Sequence, residues 1–331
     1  MCHIDIHTHI MPPSIPKWVD KFGYEGFVHL IPQTNCQADM MIGDKFFRKV
    51  DQNSWDPNTR KKEMIETGIS KQVLSTVPVL FNYWAKGEHC LQTSMFYNDH
   101  IAEVCLKHPE NYYGIGTLPM QDPDLACREL ERCMKVLGMK GIEIGTHIND
   151  WNLNDKVLWP VYAKAEELGA CIFVHPWDMM GEKNMSRYWL PWLVGMPAES
   201  SLAICSLIFG GVFENFPNLR FAFAHGAGSF PFTIGRIKHG FDVRPDLVAI
   251  DNDISPEKYL GKFWIDSLVH DIHALDYNLR LFGEDKIAFG SDYPFPLGDL
   301  TGGKFINESG LSEVTKKKIM STNALSWLGC D

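Results

Sequence analysis

Eight short runs rich in β-branched and aromatic residues recur along the chain, separated in most cases by segments with helical punctuation. The runs are HIDIHTH (3–9), KQVLSTV (71–77), YYGIGTL (112–118), GIEIG (141–145), CIFVH (171–175), RFAFAH (220–225), KFWIDS (262–267) and KIAFGSD (286–292). Between them lie helical segments such as 56–68, 122–138, 154–169 and 312–329, several of which open on Asp or Asn and end on Gly. Those residues suit helix N-caps and C-caps. Strands this apolar must be covered on both faces, so the alternation predicts a closed (β/α)8 TIM barrel, with residues 1–331 forming a single domain. No GxGxxG loop follows a strand, which argues against an open dinucleotide-binding sheet. The rhythm breaks at 10–55, after the first strand, and at 177–200, after the fifth, so insertions are expected over the barrel mouth.

Catalytic groups of such barrels gather at the C-terminal ends of the strands. The first run places Asp5, His7 and His9 at alternate positions, and strict alternation turns all three into the barrel. The corresponding ends of the fifth, sixth and eighth runs carry His175, His225 and Asp292. A lone HxH is weak, because a buried histidine is more often a hydrogen-bonded core residue. Five groups, His7, His9, His175, His225 and Asp292, meeting at one mouth form a nitrogen and oxygen shell suited to zinc, and iron, manganese or cobalt accept similar ligands. His147 also follows a strand and reads as a loop or supporting residue.

A formal net charge of -10 disfavours nucleic acid and anionic membrane as partners, since both call for a basic surface. No run of about 18 uninterrupted apolar residues is present, and the N-terminal residues lack a signal-peptide pattern, so a cytoplasmic location is expected. The nine cysteines have no CxxC pair, which makes reduced thiols the expectation.

The stretches DIHTHIMP, FFRKVDQNSWDP (46–57), LSTVPVLFNYWAKG (74–87), FVHPWDMMG (173–181), WLPWLVGMPAES (189–200), FAHGAGSFPFTIGR (223–236) and GSDYPFPLG (290–298) together resemble the metal-dependent decarboxylases of the amidohydrolase superfamily. The resemblance spans essentially the whole chain. It implies one zinc bound by His7, His9, His175 and Asp292, with His225 beside it as acid/base and Asp292 contributing to catalysis. It implies a substrate class of conjugated, amino-substituted dienoic diacids bearing a semialdehyde, at a branch point of tryptophan catabolism. Arg48 and Arg236 match the family's two carboxylate-binding arginines, and Trp192 and Phe295 match pocket positions, whereas Trp177 and Trp189 of the second insertion read as loop core. One position departs, because Ala227 stands where the family prefers Gly.

Two-metal members commonly bridge their ions with a carboxylated lysine at the end of the fourth strand; here that strand ends GIEIGTH and Lys140 sits at its other end, which favours one metal. Arg236 lies eight residues beyond Gly228, so along a helix it sits roughly 12 Å from its own site. A homodimer that lends Arg236 to the partner's site resolves this, as the resemblance implies. A metal-dependent hydrolase of an amide, lactone or ester is the alternative, because fold alone does not fix reaction type.

Overall fold

A computed structural model of the chain describes residues 2–330. All eight expected strands form, as β1 (Ile4–His9), β2 (Lys71–Ser75), β3 (Tyr112–Gly116), β4 (Gly141–Gly145), β5 (Cys171–His175), β6 (Arg220–Phe223), β7 (Trp264–Asp266) and β8 (Ile287–Ala288). They build one parallel sheet in sequence order. The ends meet where Ile6 N–H donates to Phe289 O at 2.9 Å and His9 N–H to Tyr293 O at 2.8 Å, which closes the barrel.

Helices α1 (Pro57–Thr67), α2 (Gly87–Lys107), α3 (Pro123–Lys135), α4 (Trp159–Leu168), α5 (Met196–Phe209), α6 (Phe230–Val243), α7 (Ile272–Phe282) and α8 (Asn323–Leu328) surround it. The caps read from the sequence hold: Asp56 accepts from Asn58 N–H, Asp122 accepts from Leu125 N–H, and Gly68 and Gly169 close α1 and α4 in the left-handed region. Alternate residues face opposite ways. Ile142, Ile144, Ile172, Val174, Phe221 and Phe223 pack outward against the helices, while Ile4, Ile6, Val73, Ile115, Phe173, Ala222 and Ala288 fill the interior above Trp327.

Strict alternation fails in β1. Its register with β2 runs Ile4–Lys71 and Asp5–Gln72, then Thr8–Leu74 and His9–Ser75, so three steps on β1 face two on β2. This one-residue bulge flips the side-chain parity. Asp5 therefore faces outward, lining a cleft with Glu63 and Met64 of α1, and does not join His7 and His9. The bulge lets Ile6 and His7 both turn inward and leaves Thr8 outward beneath α1.

The first insertion holds an antiparallel three-stranded sheet, Val28–Pro32, Gln37–Ile42 and Lys45–Asp51, which the sequence reading left unassigned. Its signal was present. Ile42 pairs with Lys45 across Gly43-Asp44, a two-residue hairpin turn with Gly43 at φ 56°. The second insertion runs through a π-helical turn, Pro191–Gly195, into α5. The segment Pro191–Phe209 has mean hydropathy 1.5 and is the one helix among the described residues that is long and apolar enough to cross a membrane, yet 44% of it is buried against the barrel. All nine cysteines are unpaired.

Candidate metal centre and active site

His7, His9, His175, His225 and Asp292 converge at the mouth, as expected. One ligand atom from each of His7, His175, His225 and Asp292 lies within 4.8 Å of the others. His9 Nε2 joins them at 3.2 Å from His7 Nε2 and 3.2 Å from Asp292 Oδ1. His7 Nε2 is 3.5 Å from Asp292 Oδ1, and His225 Nε2 is 3.7 Å from Asp292 Oδ2. Asp292 itself sits on the turn after the short β8, at φ 58°, rather than within a strand. A non-glycine residue held in that region is typical of a site the surrounding structure over-determines.

The outer nitrogen of each buried histidine is tied to a fixed acceptor. His7 Nδ1 meets Asp266 Oδ2 at 2.7 Å, His9 Nδ1 meets Thr76 O at 2.8 Å, and His175 Nδ1 meets Pro176 O at 3.0 Å. Each Nδ1 must therefore donate, which leaves the three Nε2 lone pairs aimed at one point. His175 Nε2 is buried with no hydrogen-bond partner among the described residues. An orphaned imidazole lone pair beside two others and a carboxylate is the donor set a divalent transition metal takes, so the residues fit such an ion.

Electrostatics agree. Burial lowers His9, and lowers His175 well below the ordinary imidazole range, so both stay neutral and able to ligate. Burial also opposes charge on His225, but the nearby carboxylates of Asp292 and Asp266 outweigh it and raise this imidazole. Burial would raise Asp292, yet the imidazoles of His225, His9 and His7 around it hold it well below the usual carboxylate range.

Two functional candidates escaped the sequence reading. Asp266, at the end of β7, binds His7 and also accepts from the backbone N–H groups of His225, at 2.9 Å, and Gly226, at 2.7 Å, so one carboxylate sets two of the histidines. The rule that found Asp292, a carboxylate at a strand's C-terminal end, applied equally to KFWIDS. Gly290 makes room for it, since a Cβ there would lie 2.7 Å from Asp266 Cβ and 2.8 Å from His7 Cβ. Glu143 points inward from β4, its Oε1 at 3.7 Å from His9 Nδ1, and burial pushes its carboxyl well above the usual range. Lys140 lies against Tyr113, away from the mouth. Residues 225–228 are all left-handed, Ala227 at φ 68° included, where a glycine would be unstrained.

A cavity of about 40 Å³ is lined by His9, Arg48, His175, Asp292, Trp192 and Phe295, among others. A second, of about 270 Å³, shares Trp192, Met196 and Leu297 with it and reaches His225. Arg48, from the third strand of the inserted sheet, has its guanidinium 4.8 Å from the Phe295 ring and 5.8 Å from that of Trp192. Trp177 and Trp189, read as loop core, line the cavity too, with Phe47. Arg236 does not: it is exposed on α6 and lines neither space.

The wall carrying these tryptophans is fastened by buried Glu199, which accepts from Met180 N–H at 2.6 Å and from Thr146 Oγ1 at 3.1 Å. His147, as expected, plays a supporting part: its ring nitrogens face Asn149 O and Asp178 O, each at 2.9 Å, with Glu199 Oε2 at 3.6 Å.

The amidohydrolase family profile matches residues 4–330. The chain belongs to the amidohydrolase family. Within that family its similarity is to carboxy-lyases. It is 53% identical over 329 residues, covering 99% of this chain and 92% of the relative, to 2-amino-3-carboxymuconate-6-semialdehyde decarboxylase of Dictyostelium discoideum. The protein of that name from Caenorhabditis elegans is 36% identical, with 99% of this chain and 94% of the relative covered. The fold matches a crystal structure of 5-carboxyvanillate decarboxylase from Novosphingobium aromaticivorans complexed with manganese and 4-hydroxy-3-methoxy-5-nitrobenzoic acid, at a TM-score of 0.80 and 21% identity, covering 99% of this chain and 96% of that one.

Proposed function

We propose that the chain is a zinc-dependent, cytoplasmic carboxy-lyase that converts 2-amino-3-carboxymuconate 6-semialdehyde to 2-aminomuconate 6-semialdehyde and carbon dioxide. In tryptophan catabolism through kynurenine this withdraws the semialdehyde from cyclisation to quinolinate, and so from NAD synthesis. The observation that carries the reading is the convergence of four imidazoles and Asp292 beside an arginine that packs on aromatic rings and faces the same cavity. His7, His9, His175 and Asp292 hold the metal. When bound, it acts as a Lewis acid and lowers the pKa of a coordinated water to about 7.

Arg48 offers its planar fork to one substrate carboxylate. Trp192 and Phe295, with Phe47 and Trp177, supply apolar walls that exclude water from a flat conjugated ligand. Loss of carbon dioxide leaves an electron pair that the diene delocalises, and a proton must replace the departed carboxyl group. His225 is the donor: its Nε2 faces the cluster, it borders the roomier cavity, and Asp292 keeps the imidazole protonated more readily than an ordinary histidine.

A second carboxylate needs a second cation, and Arg236 is our candidate, contributed across a homodimer. What supports this is its exposure on α6 one turn beyond Phe232, which is 68% exposed, stacked on Tyr277 and lines the second cavity together with exposed Leu193. Mixing Arg48→Ala and Arg236→Ala chains should restore activity in mixed dimers, and confirmed mixed dimers without activity would refute the shared site.

The direct test follows the absorbance of freshly generated substrate together with carbon dioxide release, by zinc-loaded and metal-stripped protein. Stoichiometric release by the loaded form alone is expected. Decay only at the spontaneous cyclisation rate, with zinc bound, would overturn the assignment.

A further inference from the structure

Arg60 is fully buried in α1, and its guanidinium has no carboxylate partner. Its five hydrogen bonds all go to neutral acceptors. Nη1 donates to His9 O at 2.7 Å and to Asn53 O at 3.1 Å. Nη2 donates to Thr8 Oγ1 at 3.2 Å and to Gln72 Oε1 at 2.9 Å, and Nε to Gln72 Oε1 at 3.2 Å. The face of the guanidinium lies 4.5 Å from the ring of Tyr293.

An unpaired buried cation is costly, and an apolar side chain would brace a helix against a strand at lower cost. What only arginine supplies is several donors fixed in one plane. Here the in-plane donors reach β1, and the guanidinium lies over the ring of Tyr293 next to Asp292, so one side chain touches two of the segments that carry candidate metal ligands. Thr8 and His9 are the residues on the C-terminal side of the β1 bulge, and His9 is its inward imidazole. Tyr293 follows Asp292 directly, and its carbonyl accepts from His9 N–H at 2.8 Å. Its hydroxyl donates to Glu63 Oε2 at 2.6 Å, one turn of α1 beyond Arg60. Gln72, gripped by two donors, is the β2 partner of Asp5, the last register pair before the bulge. Arg60 thus holds the bulge on both sides of its extra residue, and holds the Asp292 turn through Tyr293.

We infer that Arg60 is a positioning residue for the metal centre: its fork fixes the β1 bulge and the Asp292–Tyr293 turn together, so that His9 and Asp292 are in ligating geometry before the ion arrives. The inference rests on the metal-binding reading above and is independent of the identity of the substrate.

Cobalt(II) serves as the probe. Its affinity, by competition with a chromophoric chelator, and its visible d–d band are measured for wild type, Arg60→Lys and Arg60→Met, alongside thermal unfolding of the metal-free proteins. Arg60→Lys keeps length and charge but not the planar fork. It should melt near wild type without metal, yet bind cobalt about 10- to 100-fold more weakly with a shifted band. Arg60→Met should weaken binding further; if it does not fold, Arg60→Lys decides alone. An unchanged band and affinity in folded Arg60→Lys would overturn the inference, as would weakening matched by an equal loss of stability in the metal-free protein. Failure of wild type to bind cobalt would overturn the metal-binding reading and this inference with it, whereas cobalt binding without decarboxylation would leave only the substrate assignment refuted.

Discussion

His9 and Trp189 line the same cavity and are held there by different means. His9 is 1% exposed; its N–H, its carbonyl and its Nδ1 are bonded to Tyr293, Arg60 and Thr76 respectively. Trp189 is 43% exposed, sits beside Tyr188 with both residues left-handed, and meets Trp192 at 5.9 Å between ring centroids. The first lies at a strand end, where barrel pairing and buried acceptors leave one orientation. The second lies in an insertion fastened at a few points, chiefly Glu199 and His147. The contrast separates chemistry, built into strand ends, from selection of the ligand, assigned to a segment that can vary without disturbing the barrel.

The largest effect should come from attacking the rigid side. Chelation of the metal, or His175→Ala, should abolish decarboxylation while the far-ultraviolet circular dichroism stays that of a folded barrel; collapse of the spectrum would show that the ion holds the fold as well. Next is Arg48→Ala, which removes one bidentate carboxylate contact of about 3 kcal/mol and should lower kcat/KM by about 100-fold without reducing bound metal. Asp266→Asn should weaken metal affinity by about 10- to 100-fold, because the carboxylate orienting both His7 and the His225 backbone is lost. The smallest change belongs to the wall. Glu199→Gln should raise KM several-fold, corresponding to about 1 kcal/mol, with metal content unchanged. A fall in metal content on that substitution would erase the distinction between the two sides.

Acid sharpens the comparison as well. In the metal-free protein burial keeps His9 and His175 neutral, whereas the unfolded chain protonates them near pH ~6.5. The unfolded state then binds more protons, so their contribution to stability is present above that pH and is lost as pH falls toward the lowered folded-state values. Denaturant titrations at pH 7.5 and 5.5 should show this loss, and His175→Leu should reduce it; an identical pH dependence in the variant would contradict the burial argument.

Most of the barrel was legible because covered parallel strands leave apolar runs whose spacing and caps survive in the sequence. The convergence of the histidines was legible for the same reason, each standing at the end of such a run. Period-two reasoning failed at Asp5, since a bulge depends on pairing with β2, which is not local to HIDIHTH. Asp266 was hidden only by applying the strand-end rule to histidines more readily than to KFWIDS. Trp177 and Trp189 were read as core because an aromatic insertion looks alike whether its rings face protein or cavity, and that choice is made by Glu199 reaching back from α5.

The central claim is that strand ends set the chemistry and the insertion sets selection. It is tested most directly by measuring zinc per chain and carbon dioxide released per substrate consumed, in parallel, for wild type, His175→Ala and Glu199→Gln. The account predicts one zinc and stoichiometric release for wild type, neither for His175→Ala, and full zinc with a raised KM for Glu199→Gln. Stoichiometric release by His175→Ala without zinc would contradict it.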